Sequence, residues 1–176
     1  PFEYSDVQIY LKLEYLSPTG SFKDRGVNAM VTQLKHMGIK SVIEDSSGNA
    51  GASLAAHAAR FGLDAQIFVP AYASPAKKHQ ISVYGAEVIA IEGSRKATEE
   101  AAQAAVKHEQ AYASHAYHPA YLAGQITAAY ELWEQLGRKI PDWILLPVAQ
   151  GGQFLGLWLG FRDIYRAGLS ERLPRL

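Results

Sequence analysis

The sequence predicts an α/β fold in three layers, a parallel sheet built from βα units with helices on both faces. Three observations carry this. Short, nearly continuous apolar runs rich in Val and Ile alternate with longer segments of helical period. Gly38, Gly62, Gly85 and Gly137 each fall just after a helical segment and just before the next apolar run, where glycine accepts the left-handed backbone that ends a helix. The repeating β-then-α order leaves a parallel sheet as the arrangement that buries every run.

Taken in order, the predicted strands are SVIED (41–45), AQIFVP (65–70), AEVIAI (86–91), a short one near AYAS (111–114) and WILLPV (143–148). Helical patterns run over roughly 24–37, 49–61, 75–84, 94–108, 119–136 and 151–167. Ser74-Pro75 reads as an N-cap followed by proline at the first helical position. In an open parallel sheet ligands sit beyond the C-terminal strand ends. Three loops fall there: DSSGNAGAS after the first of these strands, SHAYHPAY around 114–121, and AQGGQ after WILLPV.

Composition narrows the function classes. The 176 residues carry 17 Lys plus Arg against 17 Asp plus Glu, so no net charge draws the chain to nucleic acid or an anionic membrane. There is no cysteine, which removes disulfides, thiolate metal sites and cysteine nucleophiles. No apolar run reaches a membrane span and no signal pattern opens the chain, so a soluble, cytoplasmic protein is expected. Both ends look cut, at Pro1-Phe2 and at RLPRL, which suggests a fragment or a processed chain.

The loops suggest chemistry. AQGGQFLG follows a strand and opens a helix, so Gly151 and Gly152 let backbone amides approach an anion, phosphate above all. A plain strand-to-helix turn would use glycine in the same place. DSSGNAG offers Ser46, Ser47 and Asn49 with tight backbone at Gly48 and Gly51, suited to a carboxylate and a polar oxygen, or to an N-cap with spare serines. Lys23 follows a Pro-Gly-Ser turn and precedes a helix, an unfavourable place for a cation. In a dry pocket its pKa falls, and a neutral lysine amine forms Schiff bases with aldehydes. An aldehyde that carries a phosphate is pyridoxal phosphate. The alternative is a Rossmann-like domain in which Lys23 is a surface residue.

SPTGSFKDRG, SSGNAGAS, HPAYLAGQ and LPVAQGG occur in the order and spacing of the fold-type II pyridoxal-phosphate enzymes, the tryptophan synthase β superfamily. The chain resembles that group over essentially its whole length, and within it is most similar to the threonine synthases. The resemblance implies a smaller domain over 20–135, with 1–19 and 136–176 belonging to a larger domain that is incomplete here. It implies pyridoxal 5′-phosphate as cofactor and a small amino acid as substrate, with no nucleic-acid or membrane partner, no metal, and a possible homodimer. Lys23 would form the Schiff base and act as base on the substrate α-proton. Phe22 would lie near the cofactor and Asn49 would bond its 3′-oxygen. Ala149, Gln150, Gly151, Gly152 and Gln153 would cradle its phosphate. Ser46, Ser47, Gly48, Asn49 and Ala50 would form the loop that holds the substrate carboxylate, with His118 and Tyr121 on the substrate side.

The implied activity is that of a lyase of amino-acid metabolism. It would perform threonine synthase-like elimination and replacement on a hydroxy- or O-phospho-amino acid. A serine/threonine dehydratase, or a non-catalytic cofactor-binding fragment, is the alternative. The chain departs from the family pattern at Ala149, where the phosphate loop usually begins with Gly. It departs again at His118 and Tyr121, where threonine synthases carry Asn and Arg toward the phosphate of phosphohomoserine. The substrate is thereby left open among phosphohomoserine, threonine and serine. His115 and His118 stand three apart but lack a third metal ligand. The later part of the family, which supplies the contact to the pyridine nitrogen, has no counterpart in this chain.

Overall fold

A computed structural model describes residues 2–4 and 6–176; Pro1 and Ser5, within the stretch assigned by sequence to the larger domain, lie outside the described residues. The chain opens with an antiparallel pair, β1 (Phe2–Tyr4) and β2 (Val7–Ile9), which the sequence reading does not anticipate. A single 3-10 turn (Glu14–Leu16) leads to α1 (Lys23–His36). Then β3 (Ser41–Glu44), α2 (Asn49–Phe61), β4 (Asp64–Pro70), α3 (Pro75–Ser82), β5 (Glu87–Ile91), α4 (Arg95–Ala105) and β6 (Gln110–Tyr112) alternate. Two long helices follow, α5 (Pro119–Gln135) and α6 (Gly152–Arg166).

The expected parallel sheet is present. Its strands lie in the order β5-β4-β3-β6, every neighbouring pair parallel, with Val42 opposite Ala65 on one side of β3 and Ala111 on the other. Side chains alternate across it as a pleated strand requires. Val42, Ile67 and Val69 face α1, α2 and α3, meeting Val27, Met30, Val31, Leu54, Ala55 and Ile81. Ile43 and Phe68 face the opposite way, toward Ala102 of α4. Each fully buried aliphatic side chain contributes roughly 1.5–3 kcal/mol, so this double-sided core holds the sheet. Helices α5 and α6 share a separate core of Ala128, Ala129, Leu157, Phe161 and Ile164. Gly38, Gly62, Gly85 and Gly137 all have positive φ, as their positions after helices require.

Three expectations need correction. WILLPV is not a strand. It runs extended, but its only sheet-like link among the described residues is a bridge from Trp143 to Arg175, with Ile144 N–H donating to the Arg175 carbonyl at 2.8 Å. A strand exists only where a ladder partner lies alongside. Nor is the segment covered on both faces. Ile144 and Leu146 turn toward the α5–α6 core, whereas Leu145 is 93% exposed and Trp143 and Val148 also face outward. Ser74 stands at the start of α3 with Pro75 behind it, yet its side chain makes no capping hydrogen bond. The short strand near 111–114 is shifted to Gln110–Tyr112, because pairing with Ser41–Ile43 sets its limits.

The topology positions the site. From β3 the chain crosses to β4 on one side and, later, to β6 on the other, so β3 flanks the switch point of the sheet. The loops that leave β3 and β6 diverge there, and the starts of α1, α5 and α6 converge on the gap. Among the described residues no helix is long and apolar enough to cross a membrane.

Candidate functional site

Lys23 is the first residue of α1, and the turn before it is fastened by its neighbour. Asp24, buried, accepts hydrogen bonds from the Thr19 N–H and hydroxyl, both at 2.7 Å, and from the Ser53 hydroxyl of α2 at 2.5 Å. A carboxylate here suits the positive end of the helix dipole, and it ties the starts of α1 and α2 together. Arg25 forks onto Glu14 with two bonds of 2.8 Å and reaches Glu131 at 2.6 Å, while Lys12 also holds Glu131 at 2.6 Å. Both charges are therefore structural. Arg25 is fully engaged and has no fork left for a ligand.

The Lys23 amine is left among aromatic rings. Its Nζ lies 5.0 Å from the Phe22 ring centre and 5.7 Å from that of Tyr121. Burial lowers its pKa, and the negative charge of Glu44 works in the opposite sense. A lysine so placed keeps a larger fraction of neutral, nucleophilic amine than one in water.

Tyr121, on the first turn of α5, is the common neighbour of these parts. It is buried, and its hydroxyl has no hydrogen-bond partner; burial raises its pKa. A Cβ on Gly26 of α1 would lie 2.4 Å from the ring, so only glycine lets Tyr121 settle against α1. A Cβ on Gly152, at the start of α6, would lie 3.6 Å from the other edge. Tyr121 thus joins the Lys23 turn to the glycine loop. Gln125, one turn on and fully buried, donates to the Phe22 carbonyl at 3.2 Å, and its own carbonyl oxygen is unpartnered. The Ser21 hydroxyl is likewise buried and unpartnered. Three orphaned polar atoms beside Lys23 mark a place that water or a ligand completes.

The glycine loop has the geometry of an anion cradle. Ala149 and Gly151 both take positive φ, +46° and +83°, and the Gly151 N–H closes a turn onto Val148 at 2.7 Å. Behind them the first N–H groups of α6, from Gly152 and Gln153 onward, have no intrahelical acceptor. Gln150 is exposed. Ala149 therefore adopts the backbone that its side chain disfavours rather than altering the loop.

The serine loop sits at the end of β3. Ser46 turns its hydroxyl into the loop and accepts from the Gly48 N–H at 3.3 Å. Ser47 is half-buried, Asn49 is exposed at the start of α2, and Ala50 is buried. Ser53, one turn beyond Asn49, holds Asp24, so this loop and Lys23 are neighbours. His118 is half-buried and acts as the cap of α5. Its Nδ1 accepts from the Ala120 N–H at 3.3 Å, and burial lowers its pKa.

Sequence reasoning missed Glu44 as a site residue and treated His115 only as a possible metal ligand. Glu44 is fully buried at the end of β3 and meets His115 twice, Oε1 to Nδ1 at 3.1 Å and Oε2 to the backbone N–H at 3.2 Å. The His115 ring stands edge-on to Tyr121, centres 6.0 Å apart. A glutamate closing the apolar run SVIED was the signal. The next residue, Asp45, is held by Tyr112 at 2.7 Å and Arg95 at 2.5 Å.

The family of pyridoxal-phosphate dependent enzymes matches residues 2–173. The chain is similar to the threonine synthase of Synechocystis sp., 39% identical over 97% of this chain and 45% of that one. It is also similar to the threonine synthase of Methanocaldococcus jannaschii, 34% identical over 96% and 42%. Among solved structures, a pyridoxal 5′-phosphate-dependent aspartate racemase matches with TM-score 0.79 and 32% identity, over 86% of this chain and 46% of that one. The cysteine synthase of Entamoeba histolytica matches with TM-score 0.80 and 27% identity, over 86% and 47%. The chain spans less than half the length of each of these relatives.

Proposed function

The chain belongs to the family of pyridoxal-phosphate dependent enzymes, and from that premise we propose that it is the Lys23-bearing part of a lyase acting on a small hydroxy- or O-phospho-amino acid, in the manner of a threonine synthase. The observation that carries the reading is one lysine held half-buried at a helix start, beside an amide cradle and a serine loop. The fit is good on three counts. The amine is set toward its neutral form. The loop at Ala149–Gln153 leads into α6, whose first amides, at Gly152 and Gln153, have no intrahelical acceptor. The orphaned oxygens of Ser21, Tyr121 and Gln125 stand within the same cluster.

When bound, pyridoxal phosphate supplies an electron sink for the substrate α-carbon. The chain's residues do the rest. Lys23 Nζ would be the group that holds the cofactor and would carry the substrate α-proton. Amides from Ala149 to Gln153 bind the phosphate, each charge-assisted bond contributing about 1.5–3 kcal/mol. The Ser46–Ala50 loop holds the substrate carboxylate, with Asn49 bonding the cofactor's phenolic oxygen. Phe22 lines the lysine side and excludes water. In this reading residues 20–135 form the smaller domain, and 1–19 with 136–176 belong to the larger.

A second reading, a serine/threonine dehydratase, is favoured by charge. Arg25 is engaged by Glu14 and Glu131, and Arg95 by Asp45, which leaves neither for a phosphate on the substrate. The test compares phosphohomoserine, threonine and serine with the full-length protein and pyridoxal phosphate. Phosphate released with threonine formed supports the first reading; keto acid from threonine or serine supports the second. No turnover of any of the three, with cofactor bound, sinks both and leaves a non-catalytic binding fragment.

A further inference from the structure

We propose that Asp24 is a positioning residue: through Thr19 on one side and Ser53 on the other, its carboxylate holds the Lys23 turn in fixed register with the serine loop at Ser46–Ala50. Its bearing on catalysis rests on the reading of Lys23 as the cofactor lysine and of that loop as the substrate loop.

The bonds of Asp24 do more than start a helix. A capping side chain serves the free amides of its own helix. Asp24 accepts instead from the Thr19 N–H and hydroxyl, both at 2.7 Å, in the turn before α1, and from the Ser53 hydroxyl of α2 at 2.5 Å. None of these donors belongs to α1. Asp24 and Ser53 are both buried, so little water competes for the bond between them. Hydrogen bonds to an ionised acceptor are the strong ones. Around this bond α1 and α2 share an apolar core that includes Val27, Val31, Leu54 and Ala55. Apolar burial has no direction, so it leaves the register of the two helices to the hydrogen bond.

Helix α2 carries that register to the loop. Ser53 stands four residues after Asn49, one turn on along the same helix face. Gly51 seats the loop on this first turn: a Cβ there would lie 1.9 Å from the Ser46 carbonyl oxygen, a contact that only glycine avoids. The Ser46 hydroxyl in turn accepts from the Gly48 N–H at 3.3 Å. The loop and the first turn of α2 therefore form one unit, and Ser53 is where that unit meets the lysine turn. His57, one turn further, closes the far side. Its Nδ1–H donates to the Ser53 carbonyl at 2.9 Å and lies 3.8 Å from Asp24.

The experiment compares Asp24→Ala, Ser53→Ala and Asp24→Asn in the full-length protein. Asparagine is the conservative variant, since its oxygen can accept from the Thr19 N–H while its amide donates to the two hydroxyl oxygens. Without cofactor, amide hydrogen exchange is followed by peptide. Exchange over 46–51, relative to α4, is expected to rise about tenfold in both alanine variants and to stay at the wild-type rate in Asp24→Asn. With pyridoxal phosphate, the rate at which borohydride-fixable label appears on Lys23 is expected to fall about 10- to 100-fold in the alanine variants and to recover in Asp24→Asn. Affinity for 4′-deoxypyridoxine phosphate, which has no aldehyde, is expected to be unchanged, because the glycine loop is not disturbed. Lower melting with an unchanged labelling rate would mean that Asp24 only stabilises the fold, and overturns the proposal. If Asp24→Ala does not fold, Ser53→Ala decides, since it leaves both Thr19 bonds in place. Unchanged exchange over 46–51 in Ser53→Ala overturns the coupling, whatever the cofactor does. The expected exchange with no labelling of Lys23 in the wild type sinks the cofactor reading alone.

Discussion

The Nζ of Lys23 lies 5.7 Å from the centre of the Tyr121 ring, and that ring bridges the lysine turn and the glycine loop. Its hydroxyl, buried and unpartnered, separates packing from binding. In Tyr121→Phe the cofactor-free protein is unchanged or more stable by up to about 1 kcal/mol, since an unsatisfied buried group is removed. Affinity for cofactor or substrate falls by roughly two- to tenfold, the loss of one hydrogen bond. Denaturant melts and cofactor titrations check both. A loss of stability beyond 1 kcal/mol would mean the hydroxyl has a partner within the chain.

Gly26 tests the same ring from the other side. A methyl group there meets ring carbons at 2.4 Å and the Gln125 amide nitrogen at 2.8 Å, between two packed helices. Gly26→Ala is expected to destabilise by about 1–3 kcal/mol as overpacking and to weaken cofactor binding together with stability. Unchanged melting with unchanged binding would show that α1 and α5 can separate freely.

Ala149 holds φ at +46°, in the left-handed region. Substituting glycine relieves a strain of about 1–2 kcal/mol and gives back about 0.4–1 kcal/mol in unfolded-chain entropy. Ala149→Gly is expected to gain about 0.5–1 kcal/mol in chemical denaturation and to keep cofactor affinity. A destabilised variant would contradict the backbone assigned to this loop.

Lys23 gives a pH dependence whose sign follows from burial. Its folded pKa lies below the ordinary 10.5, so between the two values the unfolded chain binds more protons. Stability from this group is full above 10.5 and is lost as pH falls toward the folded pKa. Against Lys23→Met, in cofactor-free protein, the difference wild type minus variant is expected to rise with pH across that window. A flat or falling difference, measured by urea melts at several alkaline pH values, would mean the ammonium is not desolvated.

The sheet and its helices were legible because a positive-φ glycine stands shortly before each of β3, β4 and β5, and the strands are apolar runs covered on both faces. WILLPV misled for a physical reason. Apolar composition marks what could be buried, but a strand also needs a ladder partner, and Leu145 is 93% exposed without one. The loop residues were legible as local strings, and Lys23, Phe22, Tyr121 and Gly152 do come together. Glu44 and His115 were not, because they stand 71 positions apart and only the β3–β6 pairing brings them into contact. Tyr121 was noted as a departure from a pattern, and its role as the bridge depends on Gly26, which no local spacing reveals.

The most direct test of the central claim is to load the full-length protein with pyridoxal phosphate, reduce it with borohydride and map the labelled peptide. One stoichiometric label is expected, on the peptide containing Lys23, absent from Lys23→Ala. A label on any other lysine, or undiminished labelling in Lys23→Ala, would contradict it.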